Sequence, residues 1–225
     1  MSDPNDNNDE NLTWDPTWGS NGLHDHRALM SDSPEETRFR QVEAYVGGML
    51  AALGENVDRP GLQDTPKRVA KMYISEMFAG LGADLNSLID KAVFPDGGDE
   101  MVIVSDIWFY SFCEHHLVPF FGKAHVGYIP TDGNVVGLSK IARVVDLAAR
   151  KPQVQERLGS EIANALFTSE RLKPEGVGVV VQAEHLCMAM RGIQKPGAVT
   201  TTSHMLGSFR DEPETRAEFL SLIPT

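Results

Sequence analysis

The chain has 225 residues, 41% of them hydrophobic, a net charge of −12 and only two cysteines. That length and apolar content suffice for one sizeable core plus an appendage, and no run of about 18 apolar residues is present to cross a membrane. The charge excludes nonspecific attraction to nucleic acid or to an anionic membrane surface, and two cysteines are too few for a disulfide scaffold, which fits a reducing, cytoplasmic setting.

The acidity is concentrated at the start. Residues 1–36 hold nine Asp or Glu and one Arg, −8 of the −12, which leaves −4 for residues 37–225 and room for a local basic pocket. Residues 1–32 are rich in Asp, Asn, Ser, Gly and Pro without apolar periodicity and read as a disordered acidic arm; the competing reading is a docking or regulatory arm anchored by Trp14 and Trp18. Order is expected from Ser33, which can cap a helix with Pro34 behind it and Glu36 reaching back. Val42, Tyr45, Val46, Met49 and Leu50 then predict a helix with one buried face. After a loop over 55–64, a second helix is predicted from Thr65 and Pro66, with Val69, Met72, Tyr73 and Met77 inward and Gly80 and Gly82 as its stop.

From about residue 100 the period changes. Strands are predicted over 101–112 and 123–129, helices over 139–150 and 152–172, and strands over 176–187 and 198–209. The order strand, strand, helix, helix, strand, strand predicts an α+β fold, an antiparallel sheet with its helices on one face. The expected organisation is an arm at 1–32, a helical region at 33–99 and a sheet-bearing domain at 100–225.

Two clusters carry chemistry. Cys113 and His116 stand three residues apart, a spacing that lets a thiol and an imidazole reach one ion from a single turn. Cys187 follows His185 by two, which on a strand puts both on one face. Cys113, His116 and Cys187 together offer two thiolates and an imidazole, a donor set suited to zinc with the fourth position open to water. His115 and His185 are left beside the ligands, and either can move protons near neutral pH. The same residues also fit a closed four-ligand zinc site that uses one of these histidines, or two buried thiols and satisfied core histidines with no metal.

Cations gather near predicted helix starts: Ser139, Lys140 and Arg143 on one, Arg68 and Lys71 on another, with Arg191 shortly after Cys187. Helix N-termini favour anions, so this pattern fits a polyphosphate; solvated surface cations are the alternative. Gln155 and Glu156 at the next helix start read either as solvent-facing or as a purine-edge reader.

These residues sit in C-E-H-H-L-V-P at 113–119, G-L-S-K-I-A-R at 137–143, P-Q-V-Q-E-R-L at 152–158, H-L-C-M-A-M-R-G at 185–192, T-T-T-S at 200–203 and D-T-P-K-R at 64–68. In that order the motifs resemble the GTP cyclohydrolase I family, from about Ser33 to the end of the chain. The resemblance implies the tunnelling fold and a ring-shaped homodecamer with active sites between subunits and one zinc per subunit. It also implies hydrolysis of GTP to 7,8-dihydroneopterin triphosphate with release of formate. By the same resemblance Cys113, His116 and Cys187 are zinc ligands, His115 and His185 transfer protons, and Ser139 assists the ribose steps. Gln155 and Glu156 recognise guanine, and Arg68, Lys71, Lys140, Arg143 and Arg191 surround the triphosphate. The rival readings are another enzyme of that fold, such as a pterin synthase holding zinc with three histidines, and a non-catalytic module with a closed metal site.

Overall fold

A computed structural model describes residues 33–95 and 97–224; the acidic arm with Trp14 and Trp18 lies outside the described residues. The described residues fall into two compact units, divided between Ala70 and Lys71. Among the described residues no helix is long and apolar enough to cross a membrane.

In the first unit, α1 (Pro34–Ala52) begins with the capping box that its residues predict. Glu36 N–H donates to Ser33 Oγ at 3.3 Å, and Ser33 N–H donates to Glu36 Oε2 at 2.9 Å. Such a cap stabilises a helix by about 1 kcal/mol. The expected buried face is not seen: α1 buries no residue, and Tyr45 and Met49 are 69% and 56% exposed. Periodicity sufficed to form the helix, but of its apolar stripe Val42, Val46 and Leu50 are only half-buried and Tyr45 and Met49 stay open to solvent.

Helix α2 (Thr65–Met72) runs on into a π-helical turn at Tyr73–Met77, closed by Phe78 N–H on the Tyr73 carbonyl at 2.9 Å. Tyr73 and Phe78 pack with Phe112 in a three-ring cluster, with centroids 5.1 to 5.8 Å apart. Such ring pairs add about 0.5–1.5 kcal/mol each beyond the area they bury. The cluster pins the end of the strand that carries Cys113.

The second unit is built on one sheet. Strand β2 (Val102–Cys113) pairs antiparallel with β3 (Pro119–Ile129), β3 with β6 (Gly176–His185), and β6 with β7 (Val199–Gly207), while the two-residue β5 (Pro152–Gln153) lies parallel to the end of β2. The strand order is β5-β2-β3-β6-β7. A small ribbon of β1 (Val93–Phe94) and β4 (Val135–Val136) leads into α4 (Leu138–Ala149).

One face of the sheet is covered by α4 and α5 (Gln155–Phe167). Ile141, Val144, Val145, Leu158, Ile162 and Leu166 are fully buried there against alternate residues of β3 and β6, including Val126, Tyr128, Val179 and Val181. Burial of each such side chain contributes about 1.5–3 kcal/mol. Helix α3 (Leu85–Asp90), capped by Asp84, joins this layer.

The expectation of helices on one face only is corrected. Helices α7 (Ser208–Asp211) and α8 (Pro213–Leu222) bring Phe209 and Phe219 onto the opposite face, against Val180. Gly127 and Gly178 make room for these rings: a Cβ on Gly127 would come within 2.9 Å of Phe219, and one on Gly178 would collide with Phe209.

Several boundaries also move. Strand β3 starts at Pro119, not 123; residues 152–153 are strand, so α5 begins at Gln155 and ends at Phe167. Strand β6 stops at His185, and Cys187 lies on the helical turn α6 (Leu186–Ala189), so the two do not share a strand face. Strand β7 ends at Gly207, whose φ of +57° turns the chain into α7.

On the face opposite α4, β2 bulges between Val104 and Ile107, and Asp106 takes a φ of +57°. Asp106 N–H donates to His125 Nδ1 at 3.2 Å, and its carboxylate pairs with Lys123 at 2.7 Å. His125 is buried, and among the described residues its Nε2 completes no hydrogen bond of good geometry. Burial pushes the His125 pKa down; Asp106 and Gln182 oppose this, and Lys123 adds to it. The folded ring therefore binds a proton less readily than the unfolded one, which titrates near 6.5. Between the two pKa values the unfolded state holds more protons, so stability is lost as pH falls below about 6.5. Urea midpoints measured from pH 7.5 to 5.5 are expected to fall more steeply for the wild type than for His125→Leu. Equal slopes would show that the ring is not held neutral by the fold.

Candidate active site

Strand register brings the two chemical clusters together. Phe112 pairs with Pro119 across β2 and β3, and Phe120 pairs with His185 across β3 and β6. The end of β2, the start of β3 and the end of β6 therefore meet at one end of the sheet. Cys113 closes β2, and the turn after it is tied by Cys113 N–H to the Val118 carbonyl (3.0 Å) and Leu117 N–H to the Cys113 carbonyl (2.8 Å), with Leu117 at a φ of +51°. His115 and His116 stand exposed on that turn.

The donor atoms of Cys113, His116 and Cys187 all lie within 4.8 Å of one another. His115 Nδ1 is 3.6 Å from the Cys113 sulfur and His116 Nδ1 is 3.8 Å from it, but among the described residues the three-donor set closes on His116. Both cysteines are free thiols. Burial pushes the Cys187 pKa up, the neighbouring Cys113 adds to that, and Arg191 partly offsets it. A Cys187 thiol held protonated in this way ionises readily only with a cation beside it, and two sulfurs with one imidazole are donors that zinc prefers. The residues present fit the metal.

His185 lies beside this set with its ring stacked on Phe120, centroids 4.5 Å apart and planes within 1°. Burial pushes its pKa down, and Glu156 partly restores it. Its Nε2 is 2.9 Å from Gln155 Oε1. Gln155 is itself buried, and its amide nitrogen faces the Val181 carbonyl (3.0 Å), the Thr200 carbonyl (2.9 Å) and Thr202 Oγ1 (3.2 Å). The Gln155 side chain is thus spent inside the protein, whereas Glu156, next along the first turn of α5, is exposed.

A second network ties the ligand turn to α5. Glu114 N–H donates to the Gln153 carbonyl at 3.0 Å, and the Glu114 carboxylate pairs with Arg157. Arg157 Nε donates to Gln153 Oε1 at 2.6 Å, and Gln153 Nε2 donates to Glu161 Oε2 at 3.0 Å. Sequence reasoning passed over Glu114, Gln153, Arg157 and Phe120. The spacing of Gln153, Arg157 and Glu161 at successive fours was the available signal for three residues sharing one side of a helix start.

The cations do not all gather here. Arg191 acts on Cys187, but Ser139, Lys140 and Arg143 begin α4 at the other end of the sheet, where Val136 N–H donates to Tyr128 Oη at 3.1 Å. Tyr128 is eight residues along β3 from Phe120, about 26 Å at 3.3 Å per residue. Lys71 is exposed on α2, and Arg68, in the first unit, is exposed and pairs with Asp64 at 3.1 Å.

Residues 42–224 match the family described as GTP cyclohydrolase I. The GTP cyclohydrolase 1 of Mycolicibacterium vanbaalenii is 57% identical over 203 residues, spanning 89% of this chain and 96% of its own length. That of Streptococcus agalactiae serotype Ia is 55% identical over 183 residues, spanning 81% and 96%. That of Mycobacterium avium is 59% identical over 184 residues, spanning 81% and 88%. A solved structure of the archaeosine synthase QueF-Like in the apo form aligns with 49% of this chain and 96% of its own at a TM-score of 0.40 and 17% identity, too partial a likeness to carry an assignment. With identity above half along nearly the whole length of such relatives, the chain belongs to the GTP cyclohydrolase I family.

Proposed function

We propose that this GTP cyclohydrolase opens the imidazole ring of GTP at C8 with zinc, releases that carbon as formate, and rearranges the ribose to give 7,8-dihydroneopterin triphosphate. The observation that carries the reading is the meeting of Cys113, His116 and Cys187 within 4.8 Å beside an oriented His185. These three residues would hold one zinc per subunit, which when bound would supply a Lewis acid able to bring a water into hydroxide range near neutral pH.

The protein's own groups do the rest. His115, on the exposed ligand turn, and His185, stacked on Phe120, hold and move protons at the ring nitrogens of guanine and at the opened amide. Glu156 accepts from the N1–H and the 2-amino group, where the orphan N–H groups of the α5 first turn favour a carboxylate. Gln155 contributes its backbone N–H to the guanine carbonyl from that same turn, its side chain being engaged elsewhere. Arg68, Lys71 and Arg191 neutralise the triphosphate together with Lys140 and Arg143, and Ser139 assists the ribose steps.

Because Tyr128, whose hydroxyl meets Val136 just before α4, lies about 26 Å along β3 from Phe120, Ser139, Lys140 and Arg143 are assigned to the site of a neighbouring copy. Two sheet edges support this. The outer edge of β2 is paired by β5 only at Phe112 and Cys113, and the outer edge of β7 has no partner among the described residues. Joining unlike edges head to tail closes rings, in keeping with a homodecamer of the tunnelling fold with its sites between subunits. Residues 100–225 would carry the catalytic sheet, in a reducing cytoplasm where Cys113 and Cys187 stay free of disulfides.

The direct test is incubation of zinc-loaded protein with GTP, with formate and oxidised fluorescent pterin measured together. Equimolar formate and pterin are expected. GTP consumed without formate, or no turnover with zinc fully loaded, would overturn the reading.

A further inference from the structure

The engaged side chain of Gln155 has a use. An amide can sit either way round, but this one has a single workable orientation. Its nitrogen faces two backbone carbonyls, of Val181 and Thr200, at 3.0 and 2.9 Å; reversed, an oxygen would face both of them. The atom turned to His185 Nε2 at 2.9 Å is therefore an oxygen, which can only accept. Nε2 must then carry the hydrogen, because the partner of one ring nitrogen decides where the proton of a neutral imidazole sits.

The partners of the amide nitrogen are well placed to hold this arrangement. Val181 is in the middle of β6 and pairs with Thr202 of β7, so the two carbonyls belong to adjacent paired strands. Gln155 is 2% exposed, and water cannot readily replace either bond. Phe120 holds the plane of the His185 ring from the side, as the parallel stack records. Among the described residues no hydrogen bond engages the other ring nitrogen, Nδ1, which in the neutral ring keeps its lone pair.

We propose that Gln155 is a positioning residue that locks His185 in its Nε2–H tautomer, so that Nδ1 is the nitrogen offered to the reacting groups, as a hydrogen-bond and proton acceptor. This rests on the reading of His185 as a proton-transfer group. It departs from guanine recognition by the Gln155 side chain, which has no donor to spare. A neutral amide suits this role, since it orients the ring as a carboxylate would without placing a second carboxylate beside His185, on which Glu156 already acts.

The test uses full-length, zinc-loaded protein labelled with 15N at histidine, the His185 signals being identified by their loss in His185→Gln. In the wild type, Nε2 is expected to resonate as a protonated nitrogen and Nδ1 as an unprotonated one. Nδ1 protonated in the neutral ring would overturn the proposal without recourse to any Gln155 variant. In Gln155→Met the two nitrogens are expected to average, and kcat to fall roughly 10–100-fold, as for loss of a partner that orients a site group, with KM for GTP within about threefold. An unchanged His185 spectrum, or a loss confined to KM, would overturn the proposal in favour of substrate reading by the side chain. Full turnover by His185→Gln would instead remove the reading of His185 on which the proposal rests, whatever its tautomer.

Discussion

His116→Ser is expected to lose its bound zinc and its GTP turnover together, whereas His115→Ser is expected to keep zinc and lose only speed. The two side chains are neighbours on one turn, and both ring nitrogens lie under 4 Å from the Cys113 sulfur. They differ in reach, since the set that also includes Cys187 closes on His116. Removing His116 leaves only the two sulfurs, one of them the Cys187 thiol that burial and the neighbouring Cys113 discourage from ionising, so the ion loses one ligand outright and part of its hold on another. Turnover should drop by more than about 100-fold, beyond what is common for groups that merely orient ligands. His115→Ser removes a proton-transfer group instead, for which a loss of roughly 10²–10⁴ in kcat is typical, with GTP affinity retained. Metal content, GTP binding and formate release measured on both variants separate the roles. Zinc lost from His115→Ser and kept by His116→Ser would reverse the assignment.

Glu156→Gln is expected to lower kcat/KM for GTP by roughly 10²–10⁴-fold, because two hydrogen bonds to a charged acceptor are worth about 1.5–3 kcal/mol each. The new amide brings donors of its own to face the N–H groups of guanine, so the loss goes beyond removal of a charge. Glu156 is exposed in one chain, on the first turn of α5, which leaves its carboxylate free for a ligand. Comparing GTP with inosine triphosphate adds a control. The wild type should prefer GTP, which carries the 2-amino group, and the variant should lose most of that preference. Unchanged kcat/KM would mean that Glu156 is an ordinary surface carboxylate.

The helix start at Ser33 shows what local chemistry can determine, since Ser33, Pro34 and Glu36 formed the capping box that their spacing predicts. The inward residues of α4 and α5 likewise follow from the 3.6-residue period, because burial of one stripe is a property of the stripe. The face of α1 had the same kind of pattern and is at most half-buried, since periodicity says that a face is apolar and not that something covers it. His185 and Cys187 were assigned one strand face by alternation, yet the chain turns into α6 between them. Cys187 is carried to the metal set by that turn, which two-residue spacing cannot reveal.

What the sequence by itself determined is therefore the chemistry and its grouping: which side chains can bind a soft metal, move a proton or neutralise phosphate, and the order of strands and helices that carries them. Their identities and local periods are written in neighbouring residues. Only the tertiary structure decided which of them meet. The pairing of Phe112 with Pro119 and of Phe120 with His185 brings the two cysteines to one end of the sheet, while the length of β3 separates them from Ser139, Lys140 and Arg143. It also spent the Gln155 side chain on two strand carbonyls and His185, so a residue that the motif offers to the substrate faces inward. Strand register and amide orientation depend on partners far away in the chain, and a hydrogen bond satisfied across strands leaves no mark on the residues beside it.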